Sequence, residues 1–320
     1  MKIVITGVSS FVGFHLARYF AKKKFEVIGT ISNSLENYDD LRLERLQLLK
    51  LANVSLKKLN ITDSNELEEF IQTEQPEYWL QHAGWADKYA SFDYDLKKSF
   101  DVNVLPLKTL YESLAHVNCQ GVIVTGSSAE YSDCDQAAQE DGITFPTTPY
   151  GLSKLTETLY ASQLSILHKI PTRVARIFIP FGEYDNPKKL IFSVIKTLAQ
   201  HQTIDLSPCE QVRDFIYIDD LCMGYHALLN NLSKAPLFNV FNMCSGKGTA
   251  LKELLLVCAK LMKADNNLLK FGAIPMRTGE AMISYGNNEK AKELLNWHPK
   301  YNLEEGLAKF IELELSNEFK

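Results

Sequence analysis

The stretch Lys2-Ile-Val-Ile-Thr6-Gly7-Val8-Ser9-Ser10-Phe11-Val12-Gly13 decides how the chain is read. Its Ile-Val-Ile core has strand length and no polar alternation, which suits a strand buried on both faces of a parallel sheet. Phe14-His-Leu-Ala-Arg-Tyr-Phe-Ala-Lys22 follows with helical spacing of its large apolar residues. Between them, glycines at 7 and 13 bracket the small Ser9 and Ser10. A tight strand-to-helix turn of this kind brings backbone N–H groups to the positive end of a helix, where a pyrophosphate is held. Gly7, Ser9, Ser10, Phe11, Val12 and Gly13 are therefore candidate dinucleotide ligands.

Working outward, composition narrows the classes. The chain has 320 residues, 46% of them apolar, enough for one large domain or two smaller ones. A net charge of −5 argues against a nucleic-acid surface and against binding to an anionic membrane. The apolar runs fall short of the ~20 residues a membrane span needs. No signal-peptide pattern precedes the first strand, so a cytoplasmic protein is expected. Six cysteines stand singly at 119, 134, 209, 222, 244 and 258, which predicts reduced buried thiols and no metal site.

Two further segments carry chemistry. Tyr150-Gly-Leu-Ser-Lys154 puts a phenol and an ammonium on one helical face. A neighbouring cation favours the phenolate, so a tyrosine pKa below the usual ~10 is expected, with the phenol exchanging protons near neutrality. Gly121-Val-Ile-Val-Thr-Gly-Ser127-Ser128-Ala-Glu-Tyr131 reads as a buried strand ending in two hydroxyls. A hydroxyl beside Tyr150 would hold the substrate oxygen during proton transfer. Either Ser127 or Ser128 can serve. The second strand, Phe25–Thr30, runs into Thr30-Ile-Ser-Asn-Ser34, without the carboxylate that binds an adenosine ribose 2′-hydroxyl. That absence admits NADP, which is favoured over NAD.

Gly-x-x-Ser-Phe-x-Gly near the N-terminus, with Tyr-x-x-x-Lys at 150, resembles the extended short-chain dehydrogenase/reductases, the NAD(P)-dependent nucleotide-sugar epimerase/dehydratase family. Ser10 stands where that family has glycine. The resemblance implies a doubly wound α/β Rossmann domain over residues 1–178, with returns at about 213–243. A smaller, interleaved substrate-binding lobe would occupy 179–320. It implies a catalytic set of Ser127, Tyr150, Lys154 and Asn103, the last in Phe100-Asp-Val-Asn103, where the family kinks a helix. Asn60 and Ile61 would lie at the adenine, Ala83 and Gly84 at the nicotinamide ribose, with Tyr150 and Lys154 also on the cofactor. Ser128, Arg213 and Arg277 would bind substrate, the arginines on the nucleotide diphosphate. Asp214 and Asp219 read as structural, and His82 as a packed side chain.

By this resemblance the expected function is hydride transfer at a ring carbon, C4, of a nucleotide-activated hexose. Ile179 replaces a substrate-contacting Asn, which is similar to the CDP-paratose/abequose type of 4-keto reductase, and that reading is preferred. Ala129 two residues beyond Ser127 disfavours dehydration, although Glu130 would hold the acid's place if Ser128 were the catalytic hydroxyl. A 4-epimerase recycling bound NAD is the alternative, and a non-catalytic NADP-sensing protein a third. A homodimer through the Leu96–Ala115 and Tyr150–Lys169 helices is a family expectation.

Overall fold

The computed structural model describes residues 1–133, 136–276 and 281–317. At its centre is β1 (Lys2–Ile5), flanked on one side by β2 (Glu26–Ile31) and β3 (Ser55–Lys58). On the other side lie β4 (Tyr78–Gln81), β5 (Gly121–Ser127) and β6 (Thr172–Ile177). The chain then leaves this sheet for β7 (Ile179–Phe181), β8 (Ile204–Leu206) and β9 (Val212–Tyr217). It returns as β10 (Phe238–Met243), giving a seven-stranded sheet of order β10-β6-β5-β4-β1-β2-β3 with every pairing parallel. This is the expected doubly wound arrangement.

Successive strand residues point to opposite faces, and each face has its own apolar layer. Ile3, Ile5, Leu80 and Ile123 pack with α1 (Phe11–Lys22) and α2 (Asp40–Leu51) through Phe14, Leu16, Leu46 and Leu49. Val4, Trp79, Val122 and Val124 face α3 (Ser64–Glu74) through Leu67 and Ile71. After the single turn α4 (Leu96–Ser99), that second layer continues through α5 (Pro106–His116) and α6 (Pro149–His168). Parallel strands leave no hairpin shortcut, so each crossover carries a helix to one face or the other.

Past β6, α7 (Leu190–Ala199) and α8 (Ile218–Asn231) extend the first layer, and α8 packs on α1. A smaller sheet is built around β9, which pairs with β7, with β11 (Gly248–Ala250) and later with β13 (Ile283–Ser284). The strand β12 (Leu269–Phe271), reached through α9 (Leu251–Leu261), pairs with β8. The chain closes with α10 (Glu289–Leu295) and α11 (Leu303–Asn317). Among the described residues no helix is long and apolar enough to cross a membrane, and no group of His, Cys, Asp and Glu could hold a metal. The five described cysteines are free and buried; Cys134 lies outside the described residues.

Asp214 fastens the smaller sheet to the 244–246 turn. Its fully buried carboxylate accepts the Ser245 N–H and hydroxyl, both at 2.7 Å, and the Gly246 N–H at 3.0 Å. Burial holds this carboxyl above its ordinary pKa, and the four donors around it, Gly286 N–H among them, oppose the rise. Asp219, the other acid read as structural, meets Lys309 at 2.7 Å on the surface. Asp214→Ala strands buried donors and is expected to cost about 3 kcal/mol in urea unfolding. Asp219→Ala should cost under about 1 kcal/mol. Equal losses would contradict this difference.

Candidate active site

The site begins at the turn after β1. Gly7 has φ +72°, and a Cβ there would come within 2.9 Å of the Ala83 backbone; at Gly13 it would meet the Gly7 carbonyl oxygen at 2.4 Å. Both glycines are required by close backbone approach. Ser10 caps α1, its Oγ accepting the Gly13 N–H at 3.1 Å. The helix consequently starts at Phe11, three residues before the apolar pattern suggested. The N–H groups of Phe11 and Val12 fall in the first turn, where a helix supplies no acceptor of its own. They suit an anion at this end. Arg45, fully enclosed, donates to the Ser9 carbonyl at 2.9 Å and to Tyr184 at 3.0 Å, securing the turn from below.

The ends of β2 and β3 offer less to a nucleotide. Ser32 and Asn33 are exposed, and Arg42 reaches Asp39 at 3.4 Å. Asn60 closes a local turn, its Oδ1 accepting the Thr62 hydroxyl at 2.8 Å, next to the buried Ile61.

At the end of β4, the Thr6 hydroxyl accepts the N–H groups of His82 (2.9 Å) and Ala83 (2.8 Å). Beyond them Gly84 approaches Asn103, whose Oδ1 would lie 3.1 Å from an added Cβ. The Leu96–Ala115 helix is interrupted where the resemblance implies a kink: Phe100–Val104 forms a π-turn, with the Leu105 N–H bonded to the Phe100 carbonyl at 3.0 Å. Pro106 then starts α5. The widened turn is what carries Asn103 inward. Its amide accepts the Trp85 N–H at 2.7 Å and donates to Ser153 Oγ at 3.1 Å, tying the β4 loop to α6.

The chemistry-bearing face of α6 holds Tyr150, Ser153, Lys154 and Glu157. Thr148 caps the helix through the Gly151 N–H, and Pro149 occupies its first turn. At Gly151 an added Cβ would lie 2.1 Å from the Ala129 carbonyl oxygen, so the helix presses on the turn that follows β5. That turn is fixed by Glu130. Its buried carboxylate accepts the Ser127 N–H (2.8 Å), the Thr158 hydroxyl (2.9 Å) and Arg176 Nε (2.8 Å).

Of the two candidate hydroxyls, Ser127 is the buried one and the one whose side chain acts on the Tyr150 phenol, lowering its pKa. Ser128 instead lines a cavity of about 180 Å³ together with Tyr131, Thr148, Phe178, Arg213 and Tyr285. The Arg213 guanidinium donates to the carbonyls of Ala281 (2.7 Å) and Val212 (2.9 Å) at the cavity edge. Arg277 lies outside the described residues. A larger cavity of about 350 Å³, lined by Tyr19, His226, Lys234 and Trp297, contains none of the candidate residues.

The electrostatics correct one expectation. The Tyr150 phenol is held above, not below, its ordinary pKa. Burial is the largest cause; Lys154 and the Ser127 hydroxyl oppose it, whereas Glu157 and Tyr94 add to it. The Tyr89 and Tyr94 rings, each T-shaped to Tyr150 with centroids 5.7 Å from its own, contribute to that enclosure. Lys154 is buried and paired with Glu157 one turn on. Burial pulls Lys154 down, but Glu157 and Tyr150 outweigh it and leave the ammonium raised. Burial also lifts Glu157 to about 7, against the pull of Lys154. Glu157 was missed in the sequence, where only its i,i+3 spacing from Lys154 marks it.

Gly151→Ala weighs two effects. Helix propensity alone would favour alanine by about 1 kcal/mol. The collision with the Ala129 carbonyl should reverse the sign, giving a net loss of roughly 1–2 kcal/mol in urea unfolding. A more stable variant would contradict the close approach.

A model of the NAD dependent epimerase/dehydratase family matches residues 3–244. The UDP-glucuronate 4-epimerase of Thermodesulfobacterium geofontis is 26% identical over 98% of this chain and 96% of its own. The CDP-abequose synthase of Salmonella typhimurium is 23% identical over 97% of each chain. Among solved structures, a mutant UDP-glucuronic acid 4-epimerase from Bacillus cereus, in complex with UDP-4-deoxy-4-fluoro-glucuronic acid and NAD, superposes with a TM-score of 0.86. It is 22% identical and is matched over 99% of this chain and all of that one.

Proposed function

The chain belongs to the NAD dependent epimerase/dehydratase family, and we propose that it moves hydride at C4 of a nucleotide-activated hexose. The observation that carries this reading is the convergence of Tyr150, Ser127 and Lys154 at the strand ends beside the Gly7–Gly13 turn. The turn fits a dinucleotide: its glycines permit close backbone approach, and the first N–H groups of α1 stand ready for the pyrophosphate. The dinucleotide, when bound, supplies or accepts the hydride. Ala83 and Gly84 lie at its nicotinamide side and Asn60 and Ile61 at the adenine side in this reading.

Tyr150 exchanges a proton with the C4 oxygen while the Ser127 hydroxyl holds that oxygen. A phenol kept protonated by burial is suited to giving its proton to a carbonyl oxygen as hydride arrives at C4. Lys154 gives one donor to Glu157, and an ammonium has two more for a ribose. Asn103 keeps the β4 loop and α6 in register. Glu130 is committed to Arg176, Thr158 and the Ser127 backbone, which disfavours elimination. In this reading Ser128, just past β5, and Arg213 and Arg277 of the 179–320 lobe contact substrate. The exposed Leu105, Leu159, Ile166 and Leu167, on α6 and just before α5, form the seam of a homodimer.

The preferred direction is reduction of a 4-keto sugar by NADPH, because Thr30–Ser34 presents no carboxylate to repel a 2′-phosphate. The second reading is a 4-epimerase with resident NAD, favoured by relatives that are named 4-epimerases. The sensor reading is set aside because the Tyr150–Lys154 pair is intact. Acid release of any copurifying dinucleotide, then titration with NADH and NADPH, separates the two enzymes. An empty site preferring NADPH supports the reductase, and stoichiometric bound NAD supports the epimerase. Tyr150→Phe should lower turnover by about 10²-fold or more with dinucleotide binding retained; full turnover would refute the proton role.

Glu157→Gln removes a buried charge that raises Tyr150 and Lys154 together. Both pKa values fall in the variant. The limb of the kcat/KM profile that reports Tyr150 deprotonation in the oxidising direction therefore moves to lower pH. A limb that stays in place would show that Glu157 does not act on the phenol.

A further inference from the structure

Ser10 departs from the family's glycine, and His82 reads from the sequence as plain packing. The structure brings these two residues, 72 apart in sequence, into contact: Ser10 Oγ lies 2.9 Å from His82 Nε2. Ser10 Oγ is also 2.8 Å from the Gly7 carbonyl oxygen and 3.1 Å from the Gly13 nitrogen. On the other side of the ring, His82 Nδ1 is 3.1 Å from Thr125 Oγ1, which is 2.8 Å from the Tyr225 hydroxyl.

The proton positions follow from which atoms can donate. The Gly7 carbonyl has no proton, so Ser10 gives its own to it. The Gly13 N–H takes one lone pair of Ser10 Oγ, and His82 Nε2 must then donate to the other. A neutral imidazole carries one N–H, so Nδ1 accepts from Thr125, and Thr125 accepts from Tyr225. Burial pushes His82 down to about 4, with the Lys154 charge acting in the same direction, so the ring is neutral at working pH. Each side-chain proton in this chain is used once.

We propose that His82, as the neutral Nε2–H tautomer, is a positioning residue for dinucleotide binding that lets serine replace glycine in the phosphate turn. It orients Ser10 as a brace between Gly7 and Gly13 and links the turn through Thr125 to β5, two residues before Ser127. The Ser10 hydroxyl is thereby saturated and shapes the turn without bonding the pyrophosphate itself, so its place among the dinucleotide ligands is indirect. The inference rests on the dinucleotide reading above.

The test is a double-mutant cycle on dinucleotide affinity, measured with the reduced cofactor that the wild type binds better. His82→Leu should weaken binding about tenfold or more in the wild-type background, and by less than about threefold in Ser10→Gly, where nothing is left to orient. His82→Gln, which keeps a donor for Ser10, should recover most of the loss and covers the case in which the leucine variant misfolds. The ¹⁵N shifts of the His82 ring at neutral pH should show a protonated Nε2 and a bare Nδ1. Equal losses in the two backgrounds, unchanged affinity in His82→Leu, or a protonated Nδ1 would overturn the inference while leaving the enzyme reading intact. A wild type that binds neither NADH nor NADPH would overturn both.

Discussion

The three-way grip on the Glu130 carboxylate is the constraint on which the rest of the site depends. Ser127 belongs to β5, Thr158 to α6 and Arg176 to β6, and each gives one donor to the same buried acid. A carboxylate buried without such partners would be costly enough to lose its charge. Held this way, it fixes the end of β5 against both neighbours. The arginine is further pinned above the Tyr131 ring at 4.5 Å, and the Tyr131 hydroxyl bonds Asn242 at 2.6 Å. Strand end, helix and the return strand β10 thus form one rigid corner. Gly151 lets α6 close onto that corner without a side chain between, which carries Tyr150 to Ser127.

On this scaffold the electrostatics are set by burial more than by proximity of charge. The i,i+4 pair Tyr150–Lys154 suggests an acidified phenol. Enclosure by Tyr89 and Tyr94, and the sharing of Lys154 with Glu157, reverse the net effect. Burial outweighs the Lys154 ammonium and Glu157 adds to the rise, which leaves the phenol protonated. That arrangement suits a proton donor.

Local signals were legible in the sequence and contacts between distant segments were not. Strand, glycine turn and helix at the N-terminus gave the parallel sheet, because period, length and turn chemistry are properties of neighbouring residues. The start of α1 was displaced by three residues because Ser10 caps it from within the turn. The kink at Asn103 is implied by the family resemblance and not by helical periodicity, and the π-turn there goes with the contacts of Asn103 to Trp85 and Ser153. That Ser127 is buried while Ser128 lines a cavity depends on the direction of a strand end, which the two adjacent serines do not reveal. The pairing of Ser10 with His82 joins the turn before α1 to the end of β4 and leaves no trace in either segment alone. Glu157 had a visible spacing but no visible burial, and burial is what gives it influence.

The central claim is that hydride passes between the nicotinamide and C4 of a sugar held over Tyr150. It is tested most directly by supplying reduced dinucleotide deuterated at the nicotinamide C4 with nucleotide-linked 4-keto hexoses and locating the label by NMR. Deuterium at the sugar C4 is the expected result. Label at another carbon, or none in the sugar while the dinucleotide is oxidised, would contradict it.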